Sequence, residues 1–264
     1  MKYDDFSIRM KRYESVPKNF LTKRTPVIIR IDGKAFHTWT KKLKLVDESL
    51  ETNPFSNVMV KCMSYTMHML VENIQNAVLG YTQSDEISIL LNDWKTLQTD
   101  AWFNNNIQKM TSISASMATA YFNQAYASEF GEMTTPPAMF DARVFNLPKD
   151  EVANYFVWRQ QDATRNSIQM LGQYHFSHSE MHKKNVSNIQ DMLMAEHNVN
   201  WDDLETWKKR GTCVKRIIAA DMEDGVTFHT IRPAKILTLD KDIPIFTADR
   251  AYIEDLLKTE ETER

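Results

Sequence analysis

Apolar residues occur in this chain mainly as short runs broken by turn-forming residues, the pattern of a sheet with helices laid across it. Pro26 to Ile31 (PVIIRI), Ala77 to Tyr81 (AVLGY), Ile87 to Leu91 (ISILL) and Ala142 to Leu147 (ARVFNL) predict buried strands. Ser56 reads as the N-cap of a helix running to about Asn76, in which Val58, Cys62, Tyr65 and Met69 follow the i, i+3, i+4 rhythm. Met59, Met63 and Met67 beside them read as gap-filling core rather than as a cofactor box. Thr99 to about Ala127, rich in Ala, Met and Ser, predicts a second helix, and a Thr-Thr-Pro-Pro turn at 134–137 separates it from the last strand. The order is β-α-β-β-α-β. That is the ferredoxin-like α+β arrangement, an antiparallel sheet with helices on one face.

Around this unit, Asp5 to Thr22 reads as an amphipathic lead-in and Thr40 to Ser56 as a loop able to fold over a ligand. Asp150 to Gln173 predicts a long helix and Ser187 to His197 another. Cys213 to Ala219, Val226 to Ile231 and Ile243 to Phe246 are strand-like, and Ala248 to Lys258 predicts a closing helix. The expected organisation is a palm-like domain over residues 1–148 and a mostly helical region over 149–264, packed on the palm. Polymerase palms and nucleotide cyclases share such a fold, so the fold by itself does not give the function.

The chain has 264 residues, enough for a sizeable core, and its 42% apolar and 25% charged content is that of a folded protein without a membrane span. The N-terminus is polar and unlike a signal peptide, and the two cysteines, Cys62 and Cys213, have no metal-like spacing; a reduced, cytoplasmic setting is expected. A net charge of −3 slightly disfavours a nucleic-acid partner, although basic residues gather at Lys41, Lys42 and Lys44 and again between Lys208 and Arg216.

Chemistry concentrates at the strand ends. Arg30-Ile31-Asp32-Gly33-Lys34-Ala35-Phe36-His37 leaves the first strand, and Gln83-Ser84-Asp85-Glu86 joins the next two. If these strands are neighbours, Asp32 and Asp85 meet at one edge of the sheet. Two close carboxylates repel, and a pair of hard divalent cations is the usual remedy; oxygen ligands without a Cys or His cluster favour Mg²⁺. That chemistry points to two-metal phosphoryl or nucleotidyl transfer. Gly33 permits close backbone approach and its turn is suited to cradling phosphates, Lys34 adds positive charge, and Phe36 or His37 is placed to face a base. His175, His178 and His182 invite a metal reading but lack an evident fourth ligand, so surface or RNA-facing histidines are the better reading.

The segments RIDGKAFH and YTQSDEISILL together resemble the tRNA(His) guanylyltransferase family and its guanylyltransferase-like relatives, the 3′–5′ polymerases. Trp102-Phe103, Lys109 and Ala115-Ser116 fit the same pattern, as do Phe140-Asp141-Ala142-Arg143, Trp158-Arg159-Gln160 with Asp162, and Arg210-Gly211-Thr212. The resemblance covers about residues 25 to 215. It implies nucleotide addition to the 5′ end of tRNA after ATP or GTP activates the 5′-phosphate, with residues 1–148 as the catalytic domain and 149–264 contacting tRNA, in a homotetramer with tRNA crossing subunits. By position, Asp32, Asp85 and the Gly33 carbonyl correspond to the ligands of two Mg²⁺ ions. Arg30, Gly33, Lys34, Ala35, Phe36 and His37 correspond to the nucleotide-binding segment, Ser84 and Glu86 flank the metal ligand, and Lys109 corresponds to a residue handling the activating phosphates.

The chain also departs from that pattern. Where the guanylyltransferases carry HINNLYN, tied to recognition of tRNA(His), this chain reads Thr164 to Met170 (TRNSIQM); Asn53-Pro54-Phe55-Ser56 lacks the Lys and Asp of a KPND-like motif, and Asn106 replaces an arginine. The first departure resembles the branch that repairs 5′-truncated tRNA by copying the opposing strand. Template-dependent repair is therefore the leading expectation. Addition of one G to tRNA(His), a cyclase-like enzyme acting on free triphosphates, and an inactive RNA-binding protein are the alternatives.

Overall fold

The computed structural model describes residues 3–43, 47, 50, 54–96, 98–131, 136–218 and 235–258. Four strands form the predicted core: β1 (Val27–Gly33), β2 (Ala77–Gln83), β3 (Glu86–Leu91) and β4 (Phe140–Asn146). Each is short, β-branched or aromatic-rich, and bounded by turn residues. Two later strands, β5 (Thr212–Ile218) and β6 (Lys235–Asp240), extend the sheet to the order β4-β1-β3-β2-β5-β6, with every neighbouring pair antiparallel. The sheet therefore continues past residue 148.

The pleat divides each central strand between two cores. Val27, Ile29 and Ile31 of β1, with Ile87, Ile89 and Leu91 of β3, pack against α3 (Asn57–Asn73) and α4 (Ile107–Phe130). Ile28, Leu79, Tyr81 and Leu90 face the other way, against Val152, Ala153, Tyr155 and Phe156 of α5 (Val152–His175). Burial on both faces is why these strands read as continuous apolar runs rather than alternating ones.

Ser56 caps α3 as predicted, its hydroxyl accepting from Met59 N at 3.0 Å. The second helix starts later than expected, at Ile107. Phe103, Asn104 and Asn105 hold φ of 49°, 53° and 59°, a left-handed turn that precludes a right-handed helix there, and Asn106 then caps α4 through Lys109 N at 3.0 Å.

Part of the expected loop from Thr40 to Ser56 is helical instead. In α2 (Phe36–Leu43), Phe36 and Trp39 point inward onto Phe122, and the Thr40 hydroxyl donates back to Phe36 O at 2.8 Å. The polar run hid this helix because, among its described side chains, the buried ones are Phe36 and Trp39 of the first turn. Residues 44–46, 48–49 and 51–53 lie outside the described residues.

Beyond α5, the chain forms a short α6 (His178–Met181), α7 (Val186–His197) and α8 (Thr206–Arg210). Ile243 to Phe246 is irregular chain rather than strand. Ile243 and Phe246 are nonetheless buried, because Gln160 accepts from Phe246 N at 2.8 Å and donates to Pro244 O at 2.9 Å. The closing helix is reduced to α9 (Ala251–Glu254) and one tighter turn, and the strand expected at Val226–Ile231 lies outside the described residues. No described helix is long and apolar enough to cross a membrane.

Gly211 joins α8 to β5 at φ +85°, and a Cβ there would stand 2.3 Å from the carbonyl oxygen of Thr82. Gly211→Ala is expected to destabilise the fold by about 1–3 kcal/mol, read as a lowered thermal unfolding midpoint. An unchanged midpoint would show that β5 can dock without this close approach.

Candidate active site

Both acidic turns come together at one end of the sheet. Gly33 N donates to Asp85 O at 3.0 Å, tying the end of β1 to the β2–β3 turn, and Lys34 N donates to Met139 O at 2.8 Å. Antiparallel pairing sets Asp32 opposite Glu86 on one side and opposite Asp141 on the other, a row of carboxylates across three strands. Like charges directly opposite one another destabilise a sheet. Each turn also contains a non-glycine residue in the left-handed region, Ala35 at φ 55° and Ser84 at φ 51°. Such conformations cost about 1–3 kcal/mol each and cluster at functional sites.

Asp85 is half-buried, and its carboxyl is raised above the ordinary carboxylate range by burial first and by the nearby charge of Asp32 second. The Ser84 hydroxyl donates to Asp85 Oδ1 at 3.1 Å and only partly offsets this. Among the described residues, no group of three or more His, Cys, Asp or Glu side chains is arranged to hold a metal. A pair of uncompensated carboxylates still fits a Mg²⁺ that takes its remaining oxygens from substrate phosphates and water.

Glu86 plays a different part from its neighbour. Its carboxylate accepts from Arg30 Nη2 at 2.6 Å and from Arg159 Nη1 at 2.9 Å, and Arg159 also lies 3.6 Å from Asp162. Burial pushes the Glu86 carboxyl up, while the Arg159 and Arg30 guanidiniums pull it back. This clamp engages the Arg30 guanidinium and fixes the strand that follows Asp85. Arg159 enters from α5, so nothing local in the sequence signals the pairing; its only trace is the Trp158-Arg159-Gln160 motif itself.

The structure gathers some of the expected site residues and not others. Lys34, Ala35 and His37 are exposed beside the acids. Phe36 is only 3% exposed, its ring 5.2 Å from Trp39 and 5.0 Å from Phe140. It packs beneath the turn, where it also borders the cleft beside Asp85, and a Cβ on Gly33 would overlap its ring at 2.2 Å. Lys109 sits in the first turn of α4. Thr119, which accepts from Phe140 N at the acidic end, lies about 15 Å further along that helix at 1.5 Å per residue. One chain therefore places Lys109 at the opposite end of the sheet from Asp32 and Asp85.

Beside Asp85 opens a cleft of about 610 Å³. Ser84, Asp85 and His37 stand on its polar side, Met59 and Met63 of α3 and Met170 of α5 on its apolar walls, and Lys208, Lys209 and Arg210 on its basic rim. The basic cluster was visible in the sequence, but only the packing of α8 against α5 brings it to the acids. The histidines stay apart from this cleft: His175 stacks near His197 at 4.5 Å, and His178 and His182 lie 6.5 Å apart.

A family model described as tRNAHis guanylyltransferase matches residues 7–148. A bacterial tRNA(His) guanylyltransferase (Thg1)-like protein in complex with ATP is 42% identical with a TM-score of 0.83, covering 96% of this chain and 99% of that one. A bacterial Thg1-like protein in complex with GTP is 40% identical with a TM-score of 0.77 over the same shares. The tRNA(His) guanylyltransferase of Debaryomyces hansenii is 25% identical over 222 residues, 78% of each chain. The Saccharomyces cerevisiae enzyme, at 19% identity and a TM-score of 0.65 over 86% of this chain and 94% of that one, shares the fold.

Because the Asp85 carboxyl is raised in the folded protein, its contribution favours folding below its unfolded value and is lost as pH rises through the folded one. Above that range, Asp32→Asn is expected to raise the metal-free unfolding midpoint. Mg²⁺ is expected to raise the midpoint of the unaltered chain and to do so less for the variant. Calorimetry with and without Mg²⁺ checks both; a Mg²⁺ effect equal in the two chains would remove these carboxylates as its site.

Proposed function

The chain belongs to the tRNAHis guanylyltransferase family, and from that membership we propose that it is a template-dependent 3′–5′ nucleotidyltransferase that rebuilds the 5′ end of truncated tRNA. Members of the family are nucleotidyltransferases acting on tRNA. The observation that carries the finer reading is the contrast in similarity. Identity is 40–42% to guanylyltransferase-like proteins over nearly the whole chain, against 25% and 19% to two tRNA(His) guanylyltransferases. The departure over Thr164–Met170 supports it as well. Those residues lie on α5, where Asn166, Ser167 and Met170 line the cleft, so the segment the guanylyltransferases use for tRNA(His) has a different surface here.

In this reading the 5′-phosphate first attacks the α-phosphate of ATP or GTP and releases pyrophosphate, and the 3′-hydroxyl of an incoming nucleoside triphosphate then attacks the activated 5′-phosphate and releases the nucleoside monophosphate. Asp32, Asp85 and the Gly33 carbonyl would hold two Mg²⁺ ions, which supply a lowered pKa for the attacking hydroxyl and neutralise charge on the phosphates. The chain's own contribution is positioning. The Lys34 ammonium meets phosphate oxygens, His37 stands at the polar side of the cleft, and the apolar walls hold the nucleoside away from water. The Ser84 hydroxyl orients the Asp85 carboxylate, and the Glu86 clamp keeps the strand behind it from shifting.

Tetrameric assembly belongs to the same proposal. Lys109 reaches the acids only if another copy supplies it, and α1 (Tyr3–Ser15) leaves Phe6, Ile8 and Tyr13 exposed. Two buried free thiols, Cys62 and Cys213, support a reducing, cytoplasmic setting.

The test is extension of a 5′-monophosphorylated tRNA lacking its first nucleotide, with Mg²⁺, ATP and one nucleoside triphosphate at a time. Addition only of the nucleotide complementary to the opposing base is expected. Addition of G whatever the opposing base would move the chain to the guanylyltransferase activity, and no addition would remove the polymerase reading. Asp32→Ala and Asp85→Ala are each expected to lower transfer by about 100-fold or more while the fold persists. Near-normal rates in either variant would sink the two-carboxylate assignment.

A further inference from the structure

The row of acids can be approached from a second side. Pairing sets Arg143 of β4 beside Arg30 of β1, two positions from the Asp141–Asp32 pair and on the sheet face that α5 covers. At this corner Trp158 of α5 is 51% exposed. Single exposed apolar residues need no explanation, but this ring is fixed in place. The Arg159 guanidinium lies 3.4 Å from its centroid, is itself tied to Glu86, and is 4% exposed. Tyr155 meets the indole edge-on at 6.0 Å, and the Arg30 guanidinium is 5.9 Å away.

The surroundings of the ring are cationic and open. Arg165 lies two helical turns beyond Trp158 on the same face of α5, and the side chains of Arg143 and Arg165 are each 56% exposed. Each guanidinium has a carboxylate neighbour, Asp141 at 3.6 Å and Asp162 respectively, so the patch is not strongly positive overall. Binding here would draw on stacking first and on phosphate contacts second. A rigid aromatic face with guanidiniums beside it suits a nucleobase with flanking phosphates. Arg30, which the ring adjoins, precedes Asp32 by about 7 Å along the strand and lies on the same sheet face.

We propose that Trp158 is the stacking platform for the 5′-terminal base of the RNA substrate, with Arg143 and Arg165 at its neighbouring phosphates. This rests on the reading that an RNA 5′ end is the substrate. Two substrates must meet at the acids. The cleft encloses a volume suited to one nucleotide between apolar walls, whereas an RNA end that continues into a duplex needs an open surface. The Trp158 corner is that surface, and the clamp beneath it joins base recognition to the strand behind Asp85.

The experiment is a cycle between protein and RNA, using the full chain. Binding of 5′-truncated tRNA is measured by anisotropy for the unaltered protein, Trp158→Ala and Trp158→Phe, each with an intact or an abasic 5′-terminal nucleotide. KM for the nucleoside triphosphate is measured in parallel. Trp158→Ala is expected to weaken binding of intact RNA on the order of 10- to 100-fold. It should weaken the abasic RNA hardly further than the missing base already does, while Trp158→Phe retains most of the affinity and KM for the nucleotide stays within about twofold.

Equal losses on intact and abasic RNA would show that the indole only supports Arg159, and would overturn the inference. So would an effect confined to KM for the nucleotide. A chain that binds truncated tRNA with the expected coupling but never extends it would overturn the proposed function alone. A chain that extends the RNA without coupling would overturn this inference alone.

Discussion

Carboxylates packed at the end of the central strands are the constraint around which this molecule is organised. Asp32, Glu86 and Asp141 share one register across three strands, and Asp85 lies in the turn tied to Gly33. Left alone, such a cluster would push the strand ends apart, because burial strengthens repulsion that water would screen. Glu86 is the member the protein neutralises itself, with two guanidiniums on one carboxylate. Among the described residues, Asp85 has no comparable partner: its own backbone N–H, the Ser84 hydroxyl and Arg30 relieve it only in part, and its carboxyl stays raised. The asymmetry separates an acid neutralised within the fold from one whose carboxyl stays raised.

Other features are consistent with that division. Strained backbone at Ala35 and Ser84 persists only because the surrounding sheet and the Gly33–Asp85 hydrogen bond over-determine the turns. Phe36, which follows the turn after β1, supports it from below within an aromatic cluster that includes Trp39, Phe122 and Phe140. Helix α5 does two tasks along its length. Its first half delivers Arg159 and Trp158 to the acids, and its second half forms a wall of the cleft. The clamp and the cleft are thus held by one rigid element, and a shift of α5 would be felt at both.

Much of the fold was legible in the chain because its signals are local. Apolar runs at 27–31 and 87–91 are buried on both faces, Ser56 caps its helix, and the β-α-β-β-α-β order follows from their succession. The misread segments failed for equally physical reasons. Among its described side chains α2 buries only Phe36 and Trp39, and the start of α4 is displaced by a left-handed turn that no single residue announces. Ile243 and Phe246 are apolar enough for a strand, but side-chain hydrogen bonds from Gln160 occupy the backbone groups a ladder would have used.

The same distinction runs through the site. Sequence alone determined that acids end two neighbouring strands, since strand, turn and charge are adjacent in the chain, and it placed Asp32, Gly33 and Asp85 together correctly. Only the tertiary structure decided which acid is neutralised, because Arg159 lies 73 residues from Glu86. It also decided that Phe36 turns inward, that Lys109 sits at the far end of the sheet, and that Lys208 to Arg210 border the cleft. Local propensity and alternation set where a strand ends and what charge it carries. Partner identity depends on how distant helices dock, and that is fixed by packing of the whole chain.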